Sequence, residues 1–130
     1  MTGFQNSLGV SASGMEAQAM RLRLVSENIA NADTPGYHRK TAAFEARYEA
    51  GTPTGGVELG KVDLDRSQLA RVFDPGHPMA DANGYYDGSN VDLVVEIADA
   101  REASRSYEAN LKAFDQARQM AQSLLELLRR

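Results

Sequence analysis

The C-terminal third carries the feature that most limits how this chain can fold. From Val91 to Leu128 the residues Leu93, Ala100, Tyr107, Phe114, Ala121 and Leu128 recur every seven positions. Ile97, Ser104, Leu111 and Leu125 run alongside, and Ala103, Asn110, Ala117 and Leu124 form a further row. A seven-residue apolar repeat belongs to a helix that packs lengthwise on another helix. About 38 residues at about 1.5 Å each reach about 57 Å. A compact globule made from all 130 residues has a radius of gyration of only about 14 Å. The helix would outreach the globule, so the chain is expected to be a rod.

A partner for that helix lies at the other end of the chain. Leu8, Met15, Leu22 and Ile29 are again seven apart, with Ala12, Ala19 and Ser26 between them. Gly9 and Gly14 each cost about 1 kcal/mol relative to alanine inside a helix. The first helix should therefore be marginal alone and stable only when docked. The expected helix-pair seam sets Leu8, Met15, Leu22 and Ile29 against Leu93, Tyr107, Leu111, Phe114, Leu125 and Leu128. Within "SYEAN", Asn110 is the candidate register residue, because one buried asparagine fixes alignment at some cost in stability.

Local signals mark the ends of both helices. Ser89 followed three residues later by Asp92 predicts a capping box, with Asn90 as an alternative cap. Glu108 with Lys112 and Glu126 with Arg130 are i,i+4 pairs in the favourable order. Arg129 and Arg130 complement the negative end of the helix dipole. At the first helix, "SENIANADTPGY" ends the pattern abruptly. Thr34 precedes a proline and is pushed out of the α region, so the helix must stop near Asn31 to Asp33. Pro35 and Gly36 suit the two central positions of a type II turn, leading to Tyr37. Asn28, Asn31 and Asp33 can cap freed backbone groups or bind a neighbouring chain. They exceed what local capping needs, which suits a junction where several subunits' backbones meet.

The stretch from Pro35 to Gly88 holds most of the eleven glycines and all four prolines. Val57 to Leu64 and Leu69 to Phe73 alternate in the manner of short strands, and "GTPTGG", Gly51 to Gly56, reads as a flexible loop. Two to four short strands are expected. The resulting fold class is α+β: long N- and C-terminal helices paired as a coiled coil, with a small β-rich central region. The expected divisions are 1–36 for the N-terminal helix, 37–88 for the centre and 89–130 for the C-terminal helix.

Catalytic and ligand-binding readings find little support. "DPGHPMAD" contains Asp74, His77 and Asp81, but Pro75 and Gly76 suit the centre of a type II turn better than a metal site. His38 stands beside Arg39 and Lys40, a poor place for a cation. "GVELGK" lacks the spacing of a phosphate-binding loop and reads as a hairpin connection. There is no cysteine, which excludes thiolate metal sites and thiol nucleophiles. The net charge of -4 argues against nucleic acid as a partner. No enzyme, cofactor, metal or small-molecule substrate is expected. Met1 to Met15 has neither a basic n-region nor an apolar h-region, so no cleaved signal peptide is expected.

These residues also carry a resemblance. "GMEAQAMRLRLVSENIANADTPGY", Gly14 to Tyr37, resembles the N-terminal signature of bacterial flagellar rod and hook proteins. "DPGHPMADANGYY", "SNVDLVVEI" and "SRSYEAN" resemble the rod branch of that family. The family's middle motif usually reads Pro-Asn-Val with Glu-Met a few residues on; here Ser89 replaces the proline and Ile97 the methionine. The resemblance implies a structural subunit of the proximal rod, the drive shaft of the basal body. Its helices would form an inner tube and its β region would lie outside. Implied partners are other proximal and distal rod subunits, the membrane-ring junction protein and the flagellar type III export apparatus, which would carry the chain to a periplasmic rod. The motif residues Asn28, Asn31, Thr34, Pro35, Gly36 and Tyr37 would form the subunit junction. Such subunits stay floppy at both ends until assembly orders them. The alternative is a soluble cytoplasmic coiled-coil adaptor with a single partner, which explains the heptads but gives "NADTPGY" no purpose.

Overall fold

The computed structural model describes residues 2 to 129. Two long helices, α1 (Thr2–Ala30) and α2 (Leu93–Leu128), enclose six short strands in the sequence: β1 (Lys40–Thr41), β2 (Phe44–Glu49), β3 (Thr52–Leu59), β4 (Asp63–Leu64), β5 (Arg71–Phe73) and β6 (Tyr85–Asp87). The fold is α+β, as the residue pattern predicts. At about 1.5 Å per residue α2 is about 54 Å long. The strands pair antiparallel as β1–β4, β2–β3 and β5–β6, three separate two-stranded sheets. That exceeds the two to four strands expected, because pairs as short as Lys40–Leu64 leave almost no period-two pattern to read.

The helices run antiparallel. Gly14 lies against Asn110, while Arg21, further along α1, reaches Asp99 and Glu102, earlier on α2. Small side chains line the contact: Ser11, Gly14 and Ala17 are buried on α1, and Ala103 and Ala117 on α2. Gly14 is therefore a packing device. A Cβ there would fall 2.8 Å from Nδ2 of Asn110.

The seam consequently differs from the expected one. On α2 the inner row is Glu96, Ala103, Asn110, Ala117 and Leu124, seven apart and all buried or half-buried. Leu93, Tyr107, Leu111, Leu125 and Leu128 point outward, Leu128 with 71% of its surface exposed. Phe114 is half-buried, as are Leu8, Met15 and Leu22, while Ile29 is exposed. The larger apolar residues suggest a seam by size, but close approach of two helices selects the small ones and leaves the large ones on the flanks.

The other side of α1 is covered by the β2–β3 hairpin. Val57 donates its amide to Ser13 Oγ at 3.1 Å. A Cβ on Gly56 would lie 2.9 Å from that oxygen. "GTPTGG" is thus mostly strand, because Gly55 and Gly56 let the β3 backbone lie on the helix. The hairpin turns through Ala50 and Gly51, both at positive φ (51° and 80°), which matches the twist of the paired strands.

The caps also differ from expectation. Asp92 itself caps α2, accepting from the Val94 amide at 3.0 Å. Ser89 and Asn90 are engaged elsewhere, so no capping box forms. Glu108 and Lys112 do not pair among the described residues, where the ion pair within α2 is Arg118 with Asp115. Arg129 is the C-cap, and Arg130 lies outside the described residues. The Asp74–His77 turn closes with an amide-to-carbonyl bond of 3.0 Å, yet Gly76 is not at positive φ, so it is not type II. That conformation is taken by Gly84, where a Cβ would meet the Phe73 ring at 2.9 Å.

Candidate functional site

The segment that leaves α1 returns across both helices and is held there by buried polar groups. Thr34, Pro35, Gly36 and Tyr37 form the expected turn: the Tyr37 amide donates to Thr34 O at 3.2 Å, with Gly36 at φ 75°. Asn31 closes the helix end locally, its Nδ2 donating to Glu27 O at 2.9 Å and its Oδ1 accepting from the Thr34 hydroxyl at 3.1 Å. Asn28 does more. It is 1% exposed. Its Oδ1 accepts from the Lys40 amide at 2.9 Å and from the Tyr37 hydroxyl at 2.8 Å, and its Nδ2 donates to Lys40 O at 2.9 Å. A helix side chain thereby pairs with the backbone of β1 as a neighbouring strand would.

Burial and the nearby Glu27 carboxylate hold the Tyr37 phenol above its ordinary value, so it remains a donor. Glu27 also takes the Lys40 ammonium at 2.5 Å. The excess of amides in "SENIANADTPGY" is thus largely used inside the chain: Asn28 and Tyr37 bind the following segment, and of the polar residues on this stretch Ser26 and Asp33 are left exposed without a side-chain bond among those described.

Arg39 ties the same segment to α2. Its Nε donates to Oε1 of Glu96, a fully buried carboxylate, and its Nη2 reaches Asp99 at 3.2 Å. The Arg39 amide donates to Asn90 Oδ1 at 2.6 Å. The other end of the Asn90 amide donates to Asp65 O at 2.8 Å. Ser89 donates its hydroxyl to Ala32 O, joining the start of α2 to the end of α1. The Ser67 amide and then its hydroxyl, followed by Arg39, lower the Asp65 carboxyl below its ordinary value. Three stretches of chain, 37–41, 65–67 and 88–90, are thereby clasped over one end of the helix pair. Charged groups buried this way are costly unless paired, and their benefit is one defined arrangement.

Sequence reasoning placed Asn28, Asn31, Thr34, Pro35, Gly36 and Tyr37 together, and the fold gathers all six at this end. It missed Arg39 and Glu96 and read Ser89 and Asn90 as caps. One signal was present: Glu96 stands one heptad before Ala103, on the same row as Asn110. Asn110 lies about four turns of α2 away from Glu96 and packs against Gly14.

Outside the clasp, the helix surfaces are unusually apolar. Val94 is 77% exposed, and Leu93, Val95, Ile97, Met120, Leu127 and Leu128 are exposed as well. These side chains fall at both ends of α2 and on more than one of its faces, as two separate apolar regions, one around Val94 and Ile97 and one around Met120 and Leu127. Among the described residues no helix is long and apolar enough to cross a membrane, and no cluster of acidic and histidine side chains is placed to hold a metal ion. The His77 ring instead stacks on Tyr86 at 3.9 Å between centroids.

Two family models match the two ends of the chain: the flagella basal body rod protein model over residues 8–38 and the flagellar basal body rod FlgEFG protein C-terminal model over residues 82–127. Whole-length relatives agree. The flagellar basal-body rod protein FlgC of Agrobacterium fabrum is 43% identical over 127 residues, spanning 92% of this chain and 91% of the relative. Those of Salmonella typhimurium and Bacillus subtilis are each 35% identical, spanning 94% and 98% of this chain and 96% and 99% of the relatives. With most of both helices and the turn after α1 in the segments the two models match, and relatives at 35–43% identity spanning nearly the whole chain, the chain belongs to the FlgC family of flagellar basal-body rod proteins.

Proposed function

We propose that this chain is a structural subunit of the proximal rod, assembling with copies of itself and with other proximal and distal rod subunits into a helical tube that carries torque through the periplasm. The observation that carries this reading is the row of large apolar side chains left outside the helix pair, Leu93, Leu111, Leu125 and Leu128 among them. A soluble monomer rarely leaves so much apolar surface uncovered. Heterologous, non-closing contacts between such surfaces generate tubes and filaments. The divisions 1–36, 37–88 and 89–130 then correspond to the inner tube, an outer β region and the inner tube again. Delivery by the flagellar type III export apparatus and attachment to the membrane-ring junction protein complete the proposal. No catalytic step enters it.

The test is a double charge insertion, Leu125→Asp with Leu128→Asp, in a strain lacking the native chain. Both positions are exposed in the single subunit, so its fold should survive, while burial of two carboxylates between subunits is prohibitive. The variant should be produced but absent from purified basal bodies, and the cells non-motile. Normal incorporation and swimming would refute the reading. A soluble, defined complex with one cytoplasmic protein would favour the adaptor instead.

A further inference from the structure

The β5–β6 hairpin and its 74–84 connection stand apart from the rest of the fold. They join it at the root, where Gly88 donates to Ala70 O at 2.7 Å and Gly36 donates to Gly88 O at 3.0 Å. Among the described residues no helix and no other sheet packs extensively on β5 or β6. A lone two-stranded hairpin is marginal in water, yet this one is internally braced. Asp81 accepts from the Asn83 and Tyr85 amides at 2.9 and 3.0 Å and from Arg71 at 2.7 Å. The brace displays an apolar knob: Phe73 is 62% exposed, with its ring 5.0 Å from that of Tyr85, and Met79 is 63% exposed. The knob is acidic: it carries Asp74, Asp81 and Asp87 against a single Arg71, which pairs with Asp81 and Asp87. Asp74 has no ion-pair partner among the described residues.

The complementary surface lies on the first four turns of α2. Val94, Ile97, Ala98, Arg101, Glu102 and Arg105 line an open groove of about 530 Å³. Glu102 is paired with Arg21. Neither Arg101 nor Arg105 has an acidic partner among the described residues. The groove is thus apolar and bordered by two uncompensated positive charges.

Resting on the reading of this chain as a rod subunit, we infer that the β5–β6 hairpin of one copy seats in the α2 groove of a second copy, Phe73 and Met79 on Val94 and Ile97, Asp74 toward Arg101 and Arg105. Knob and groove are different patches, so the contact is heterologous, the kind that builds rings or, where the rotation does not close, open helices. A prebraced knob loses little conformational freedom on docking.

The chain has no cysteine, which makes the contact directly testable. A strain lacking the native chain would express differently tagged Met79→Cys and Val94→Cys forms together, and purified basal bodies would be treated with a short bis-maleimide. A dimer carrying both tags, at twice the 14.1 kDa chain mass, is expected only when both forms are present. Both forms incorporated without a mixed dimer would overturn the inference and leave the rod reading intact. So would cross-linking of Val94→Cys solely to a protein of other mass. Absence of the unmodified chain from basal bodies would overturn both. As a second measurement, Asp74→Arg should impair motility, and Arg101→Asp with Arg105→Asp should restore it; failure of that rescue also counts against the contact.

Discussion

Asn28→Ala isolates what the clasp contributes. The side chain is buried and makes three hydrogen bonds, two to the Lys40 backbone and one from the Tyr37 hydroxyl. Truncation leaves a donor and an acceptor of β1 and one phenolic hydroxyl unsatisfied. At about 1 to 3 kcal/mol for each buried group left unpaired, reduced because water reaches the half-buried Lys40 and Tyr37, the cost is about 2 to 4 kcal/mol. Tyr37→Phe removes one of the three bonds and should cost about 1 kcal/mol. In the Asn28→Ala background the same change should be nearly neutral, a coupling of about 1 kcal/mol. Urea denaturation followed by circular dichroism gives the stabilities, and hydrogen exchange at the Lys40 amide reports the local bond. A cost under about 0.5 kcal/mol for Asn28→Ala, or additive effects with Tyr37→Phe, would refute the argument that Asn28 organises the segment after α1.

Gly14→Val should separate the helices, because even a Cβ at this position lies 2.8 Å from Asn110; a loss of about 1 to 3 kcal/mol is expected for overpacking, measured by thermal denaturation, with partial recovery in Gly14→Val, Asn110→Ala. Glu96→Ala leaves Arg39 without its buried acceptor and should cost about 3 kcal/mol, whereas Glu96→Gln, which retains an oxygen acceptor, should cost less in the same assay. The Asp81 carboxyl is held below its ordinary value of 3.8 by the Tyr85 amide, then by Arg71 and the Asn83 amide. Such a group adds stability above that value and loses it as pH falls through the lowered one. The Asn83 and Tyr85 amides should therefore shift and exchange faster below about pH 4, and Asp81→Asn should abolish that dependence in an NMR titration.

Much of the fold follows from patterns short enough to read in order. The heptads require two long helices, Thr34 before Pro35 ends the first, and Gly36 supplies the positive φ of the turn. The strands were less legible, since pairs such as Lys40–Leu64 are only two residues long and lean on Asn28, a helix residue twelve positions before Lys40. "GTPTGG" misled for a related reason. Its glycines are spacers for packing on Ser13, and a sequence pattern does not distinguish a glycine that bends from one that makes room.

The clasp shows the division most clearly. The helix-ending asparagines are visible as a local cluster, but the pairing of Arg39 with Glu96 joins residues 57 positions apart, and no local rule links them. The heptads and the proline are enough to require two helices flanking a turn-rich centre, because helix period and proline chemistry act between near neighbours. Which face each helix buries depends on contacts between residues far apart in the chain. Both a row of mostly small residues and a row of large ones satisfy the seven-residue period, and the distance of closest approach chooses the smaller row, leaving Leu93, Leu111, Leu125 and Leu128 outside.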